Sequence, residues 1–254
     1  MMASLLNKPL IIHEQNSVPG LTNKILAKLA DRVFLGFPDA ILNDKKQSIY
    51  SGNPVRTEIM SIEAPEKRFP GRQGKLNLLI VGGSLGAQIL NTIVPEALAL
   101  IPENLRPQVV HQAGITQFNL VKQAYTDLRM NAEVVAFIDD MASRYAACDL
   151  VVCRAGALTV AELSIAGVAS ILVPYPHAVD DHQTRNAQFL SDHGAAVLIH
   201  QSDLSAKKLA DLLAGLSREK LLEMAITARS RSKPEATRVV AEACIELSGA
   251  LNEA

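Results

Sequence analysis

Residues 149–167 read Asp-Leu-Val-Val-Cys-Arg-Ala-Gly-Ala-Leu-Thr-Val-Ala-Glu-Leu-Ser-Ile-Ala-Gly. The apolar run at 150–153 predicts a strand and Ala155-Gly156-Ala157 a tight turn. From about Leu158 the spacing predicts a helix that carries Glu162 close to its first turn. Strand, small-residue turn and helix start together make a site for an anion. The first N–H groups of a helix have no partner within it, and the helix dipole adds partial positive charge there. A carboxylate just inside such a helix can accept hydrogen bonds from a sugar diol. Phosphate at the turn with ribose beside it points to a nucleotide or a nucleotide-sugar. Taken alone, Glu162 is also a good solvated carboxylate at a helix start, worth about 0.3–1 kcal/mol. The turn before it favours the binding role.

A second turn of this kind is Val81-Gly82-Gly83-Ser84-Leu85-Gly86-Ala87, which follows the apolar run 76–80 and opens a helix. Glycine there permits close approach of an anion to the backbone, and Ser84 adds a hydroxyl donor. The turn is neither Gly-x-Gly-x-x-Gly nor a phosphate loop ending in Gly-Lys-Ser/Thr. A third polar stretch, His177 to Ala187, follows the strand-like run 169–173. Its Gln183 and Asn186 fall on one helix face and could read sugar hydroxyls. Asp180-Asp181-His182 resembles a metal ligand set, but the chain has no Asp-x-Asp and no His-Glu-x-x-His, so a helix cap is the simpler role and no metal or cofactor is expected. His13-Glu14-Gln15-Asn16 and Gly52-Asn53-Pro54-Val55-Arg56 are further polar clusters after strand-like segments. Spacing alone assigns both to turns and caps, with Arg56 suited to a phosphate or carboxylate.

The elements that must position these groups alternate. Strand-like runs fall at 10–13, 32–37, 76–81, 108–112, 133–137, 149–153, 169–173 and 195–199. Helical periodicity falls at 21–30, 87–100, 117–129, 141–147, 158–166 and 181–192, and three further helices follow at 204–216, 218–231 and 235–251. This is an α/β chain with a parallel sheet. The Pro-, Gly- and charge-rich stretch 51–74 reads as a linker. Upstream of it lie two strands and a helix or two, too little to close a core. Apolar faces on Ile11, Ile12, Val33 and Phe34 would then lack partners and stay exposed.

Of the 254 residues 48% are hydrophobic, 20% charged and 4% aromatic, a composition for a sizeable aliphatic core. The net charge of −1 gives no pull toward nucleic acid. Cys148, Cys153 and Cys244 are too few and too scattered for a disulfide framework; Cys148, in an apolar helix, and Cys153, at a strand end, read as buried thiols of a reducing compartment. No apolar run is long enough for a membrane span and the start is no signal peptide, so a cytoplasmic protein is expected.

Taken in order, these motifs resemble the MurG family of glycosyltransferases (family 28). The matching segments are His-Glu-Gln-Asn (13–16), Gly-Leu-Thr-Asn-Lys (20–24), Gly-Asn-Pro-Val-Arg-Thr (52–57), Val-Gly-Gly-Ser-x-Gly-Ala (81–87), His-Gln (111–112), Phe-Ile-Asp-Asp-Met (137–141), Val-Val-Cys-Arg-x-Gly-Ala-Leu-Thr-Val-x-Glu (151–162) and Gln-x-x-Asn-Ala (183–187). The resemblance implies a GT-B architecture of two Rossmann-like domains. It also implies transfer of N-acetylglucosamine from UDP-N-acetylglucosamine to a lipid-linked muramoyl-pentapeptide, with inversion, at the inner leaflet of the cell membrane. A related UDP-sugar epimerase fits the motif order poorly.

Carried over by motif, Asn16 and Gln183 would contact the N-acetylglucosamine. Arg56 and Ser84 would act near the diphosphate or its edge of the nucleotide, and Ile138 would offer backbone atoms to uracil. Ala157, Leu158, Thr159, Val160 and Ala161 would line the diphosphate and sugar, and Glu162 would take the ribose hydroxyls. The family's acceptor loop, Gly-Gly-Thr-Gly-Gly-His, is absent from this sequence. The expected general base goes with it, so no catalytic residue is assigned. The implied organisation is a remnant of the N-terminal acceptor domain at 1–50, a linker at 51–74, a UDP-sugar-binding Rossmann-like domain at 75–234 and a C-terminal helix at 235–254. Such a chain would be a donor-binding module, either a fragment or one that works with an N-terminal-domain partner chain.

Overall fold

The computed structural model describes residues 2–6, 8–40, 42, 48–83 and 86–249. It contains two parallel sheets. The first is built from β1 (Ile11–Glu14), β2 (Arg32–Leu35) and β3 (Ser48–Tyr50), in the order β1-β2-β3. Two short helices, α1 (Met2–Leu5) and α2 (Leu21–Leu26), accompany it. Then come α3 (Thr57–Met60), α4 (Pro65–Arg68), β4 (Asn77–Val81), α5 (Gln88–Leu100), β5 (Gln108–Gln112), α6 (Phe118–Asp127) and β6 (Glu133–Val135). They are followed by α7 (Met141–Ala147), β7 (Leu150–Cys153), α8 (Ala157–Ala166), β8 (Ser170–Leu172), α9 (His182–Ser191) and β9 (Ala196–Leu198), and the described chain ends with α10 (Ala206–Gly215), α11 (Arg218–Ser230) and α12 (Ala236–Ser248).

The second sheet has six strands in the order β6-β5-β4-β7-β8-β9. That is the doubly wound Rossmann order, with its reversal between β4 and β7. The central strands are buried on both faces, which is why they read as unbroken aliphatic runs. Alternation along β4 divides the core: Leu78 and Ile80 pack with Leu90, Val94 and Leu98 of α5, whereas Leu79 and Val81 pack with Val160 and Leu163 of α8.

The first sheet departs from expectation. Ile12, Val33 and Phe34 are buried, Ile12 and Val33 against Ala27, Ala30, Leu35, Ala40 and Leu42. The exposed apolar side chains belong instead to Leu5, Leu6, Leu21, Ile25 and Leu29. Leu26 of α2 and the residues after it, Ala27 and Ala30, thus cover strand residues together with Ala40 and Leu42, while α2 turns Leu21 and Ile25 to solvent. Strand β3 was not anticipated, because three residues carry no periodic signal and pairing with β2 alone defines it.

The stretch 51–74 is packed rather than loose. Ile59, Ile62 and Phe69 are buried, and α3 and α4 lie against α8 and α11. Arg68 donates to the carbonyls of Tyr145 and Ala146 at the end of α7 and to those of Ala166 and Gly167 at the end of α8. One guanidinium therefore satisfies orphan carbonyls of two helices at their negative dipole ends. Beneath, fully buried Asp149 accepts from Arg72 at 2.6 Å, Arg218 at 3.3 Å and the Asn77 N–H at 2.8 Å. Cys148 and Cys153 are buried as expected, and burial pushes the Cys148 thiol up to about 12; Cys244 is exposed.

Candidate functional site

The turns after β4 and β7 lie side by side because those strands pair, with Val81 opposite Cys153. Ligands of such sheets gather beyond the strand C-termini at the reversal point. A cleft of about 730 Å³ opens there. Its walls include Gly83 and Gly86 of one turn, Gly156 and Thr159 of the other, and Arg154, Tyr175, His177, Gln183 and Gln201 around them.

Two helices start at this cleft with their N-termini open. Neither α5, which follows Ala87, nor α8, which follows Gly156, has a side-chain cap or an acidic residue in its first turn. Side chains cap α7 (Asp140), α10 (Ser205) and α11 (Ser217), whereas α2, α3, α4, α6, α9 and α12 also lack a side-chain cap. What sets α5 and α8 apart is their place: both start just beyond the C-terminal ends of the paired strands β4 and β7. In α8 the first N–H taken up inside the helix is that of Val160, which donates to Gly156. The N–H groups of Ala157, Leu158 and Thr159 are thus the open ones, and they suit an anion. Glycine is required in the other turn. Gly86 has φ +78, and a Cβ on it would meet the Ala113 carbonyl oxygen at 2.2 Å.

A larger hollow, about 850 Å³, lies at the opposite end of the sheet between Asn77, Gln108, Glu133 and Arg144. Strand starts and the C-terminal turn of α7 form it, so no helix N-terminus opens into it, and its Arg144 is already paired with Glu133.

The expected site residues fall into three groups. Thr159 and Gln183 line the cleft itself. Gln183 accepts the Tyr175 N–H at 2.9 Å, which turns its amide so that the N–H₂ end is left to donate. Leu158 is exposed, Ala157 and Val160 are buried, and Ala161 is half-buried. Ser84 lies outside the described residues.

The second group gathers around Tyr145 of α7. Glu162 lies in the second turn of α8 and is no solvated carboxylate: its side chain is 19% exposed, 3.6 Å from Arg56, and accepts the Tyr145 hydroxyl at 3.3 Å. Burial raises its pKa, making it a weaker acid, and the Arg56 guanidinium and the Tyr145 hydroxyl oppose that shift. Ile138 is buried in the same apolar cluster as Tyr145 and Val55.

The third group joins the two sheets. Asn186 is fully buried, so it is not the open sugar reader that its place beside Gln183 suggested. Its Oδ1 accepts the Ser17 N–H at 2.9 Å and the Ser17 hydroxyl at 2.8 Å, while its Nδ2 donates to Asn16 Oδ1 at 3.2 Å and to the Ala155 carbonyl at 3.3 Å. Asn16 is thereby held one residue from Gly156. Asn53 adds a second tie by donating to the Gln15 carbonyl at 2.9 Å. Behind the loop, buried Glu14 accepts from the N–H groups of Asn16 and Gly20 and from the Asn23 amide.

Sequence reasoning did not single out Arg154 as a wall of the cleft. Its guanidinium donates to the carbonyls of Val173 and Pro174 and to Gln201 at 2.7 Å, and lies over the Tyr175 ring. An arginine between a strand end and a Gly turn was the available signal. Asp180 and Asp181 both sit at positive φ before α9, and Asp181 accepts the Thr184 hydroxyl at 2.7 Å without capping the helix backbone. Among the described residues no group of three or more His, Cys, Asp or Glu side chains could hold a metal.

A doubly wound sheet with two open helix starts at its reversal point defines a protein of the Rossmann-like class. Comparison with known proteins narrows this. The glycosyltransferase family 28 C-terminal domain matches residues 77–240, and the N-terminal domain of the same family matches residues 1–35. A UDP-N-acetylglucosamine--N-acetylmuramyl-(pentapeptide) pyrophosphoryl-undecaprenol N-acetylglucosamine transferase of Nitrosospira multiformis is 61% identical over 97% of this chain and 69% of its own length. The enzyme of that name in Nitrosomonas europaea is 57% identical over 100% of the chain and 71% of its length. The crystal structure of Acinetobacter baumannii MurG superposes with a TM-score of 0.85 at 40% identity, over 94% of this chain and 67% of that one. The chain belongs to the MurG family of glycosyltransferases.

Proposed function

We propose that this chain binds UDP-N-acetylglucosamine in the cleft between the 82–87 turn and the start of α8. It supplies the donor side of N-acetylglucosamine transfer to undecaprenyl-pyrophosphoryl-muramoyl-pentapeptide, the lipid I to lipid II step of peptidoglycan synthesis. The observation that carries this reading is the pair of uncapped helix N-termini on adjacent strands. Their N–H groups face the diphosphate and meet the charge that develops on UDP as the sugar leaves. The acceptor 4-hydroxyl attacks the anomeric carbon from the opposite side, inverting it. Gln183 donates to the sugar, and Asn16, held by Asn186, presents its amide from the first sheet. Ser84 acts at the diphosphate edge. At the nucleoside end, Glu162 leaves part of its contact with Arg56 to accept the ribose hydroxyls, while Ile138 offers backbone atoms to the uracil.

The domain division follows the same reading: 1–50 belongs to the acceptor domain, 51–74 joins the two, 75–234 holds the donor and 235–254 is the C-terminal segment that carries α12 (Ala236–Ser248). That helix returns to the first sheet, with Glu246 3.5 Å from Arg32. No helix among the described residues is long and apolar enough to cross a membrane. Exposed Leu5, Leu6, Leu21, Ile25 and Leu29 stand near exposed Lys8, Lys24 and Lys28, a combination suited to peripheral attachment at an anionic cytoplasmic leaflet.

Calorimetry of the 254-residue chain with UDP-N-acetylglucosamine and UDP tests donor binding. Absence of saturable heat with both would overturn the reading. Transfer to a lipid-linked muramoyl-pentapeptide, with and without an added N-terminal acceptor domain, then separates an enzyme from a donor-binding module that needs a partner.

A further inference from the structure

Gln112 closes β5 and pairs opposite Val81, the last residue of β4. It is 2% exposed and lies outside the walls of the cleft. Its Nε2 donates to the Gly83 carbonyl at 2.8 Å. The same carbonyl accepts the Gly86 N–H at 2.9 Å, the bond that closes the turn. A carbonyl oxygen has two lone pairs, and both are used here, so the peptide plane cannot rotate without losing both bonds.

Ala113, the residue just beyond the strand, holds the other end. The Ala113 carbonyl accepts from Asn91 Nδ2 of α5 at 2.9 Å and lies where a Cβ of Gly86 would be. Asn91 is itself fixed by His111, whose Nε2 lies 3.0 Å from its Oδ1. The end of β5 thus pins the entry of the turn and the first turn of α5, whose N–H groups face the cleft. Gln112 Oε1 is buried without a partner among the described residues. If Gln112 only filled space, an apolar side chain of its shape would avoid leaving that oxygen unpaired. Its one hydrogen bond goes to the ligand turn.

We propose that Gln112 is a positioning residue of the donor site, which sets Gly83 and Gly86, beside the start of α5, for the UDP diphosphate through the Gly83 carbonyl. This rests on the donor reading given above.

The test uses the full chain, with UDP and UDP-N-acetylglucosamine titrated by calorimetry and the urea midpoint measured on the same samples. Absence of binding by the unaltered chain would count against the donor reading itself, and only a difference among variants bears on Gln112. Gln112→Met keeps the length and removes the amide. It should retain a cooperative transition and weaken UDP roughly tenfold or more. Gln112→Glu places an acid against the Gly83 carbonyl: the ionised form accepts only, whereas the protonated form donates as the amide did. Its UDP affinity should therefore recover as pH falls from about 8 to about 6, since burial raises a carboxyl into that range. The unaltered chain and Gln112→Met should show no such recovery. A folded Gln112→Met chain that binds UDP within about twofold of the unaltered one would overturn the proposal. So would a Gln112→Glu chain whose affinity is flat with pH, which settles the matter even if Gln112→Met fails to fold.

Discussion

Replacing Asn186 by alanine should loosen the junction between the two sheets and, with it, sugar recognition. The side chain makes four hydrogen bonds, to the Ser17 N–H, the Ser17 hydroxyl, Asn16 Oδ1 and the Ala155 carbonyl. Truncation leaves the Ser17 N–H and the Ala155 carbonyl without this partner in a poorly hydrated place. Each stranded group costs about 1–3 kcal/mol, and water entering the gap recovers part, so a net loss of about 2–4 kcal/mol is expected. Urea unfolding followed by circular dichroism measures it.

Function should change selectively. In the proposed donor site UDP would touch the turns of the second sheet, whereas the sugar would also need Asn16, which Asn186 holds in place. UDP-N-acetylglucosamine should therefore lose more affinity than UDP, by roughly a further 1 kcal/mol, or about fivefold, for one hydrogen bond no longer preorganised. Calorimetry with both ligands below the unfolding transition reads that ratio. An unfolding free energy within about 0.5 kcal/mol of the unaltered chain, together with an unchanged ratio, would refute the clamp.

Glu162→Ala should weaken UDP binding by about 1–3 kcal/mol, and Glu162→Gln by less, since the amide still accepts one hydroxyl; an unchanged dissociation constant in calorimetry removes Glu162 from the ribose. Burial holds His111 neutral, lowering it from 6.5 to about 4, between Tyr125 and Asn91. Below pH 6.5 the unfolded chain takes up a proton that the folded chain refuses, so this stability is present above that pH and is lost as pH falls toward 4. From about pH 7 to about pH 5 the loss should be about 2 kcal/mol, and His111→Gln should flatten the dependence of the urea midpoint over that window. Asp149→Ala leaves Arg72 and Arg218 without their shared buried carboxylate and should cost about 3–5 kcal/mol. Because that network sits at the opposite end of the sheet from the cleft, UDP affinity of the folded fraction should not change.

Local pattern determined much of this protein. The unbroken aliphatic runs at 77–81 and 150–153, the glycine turns after them and the amphipathic helices between them follow from short-range rules, and each could be read along the chain. The open start of α8 was legible too, since Gly156 offers no side chain to cap it and no acid follows in the first turn. Pairing decided the rest. That β4 lies beside β7 and not β6 is a long-range fact without periodicity, and it alone brings the two turns to one cleft. The same holds for the partners of buried polar groups. Asn186 and Gln183 share a helix face in sequence, yet packing against the first sheet makes Asn186 a clamp and leaves Gln183 at the cleft. Glu162 reads as a surface carboxylate until Arg56 and Tyr145 fold against it. A residue's backbone conformation depends mostly on its neighbours in the chain, but its desolvation and its hydrogen-bond partners depend on segments far away.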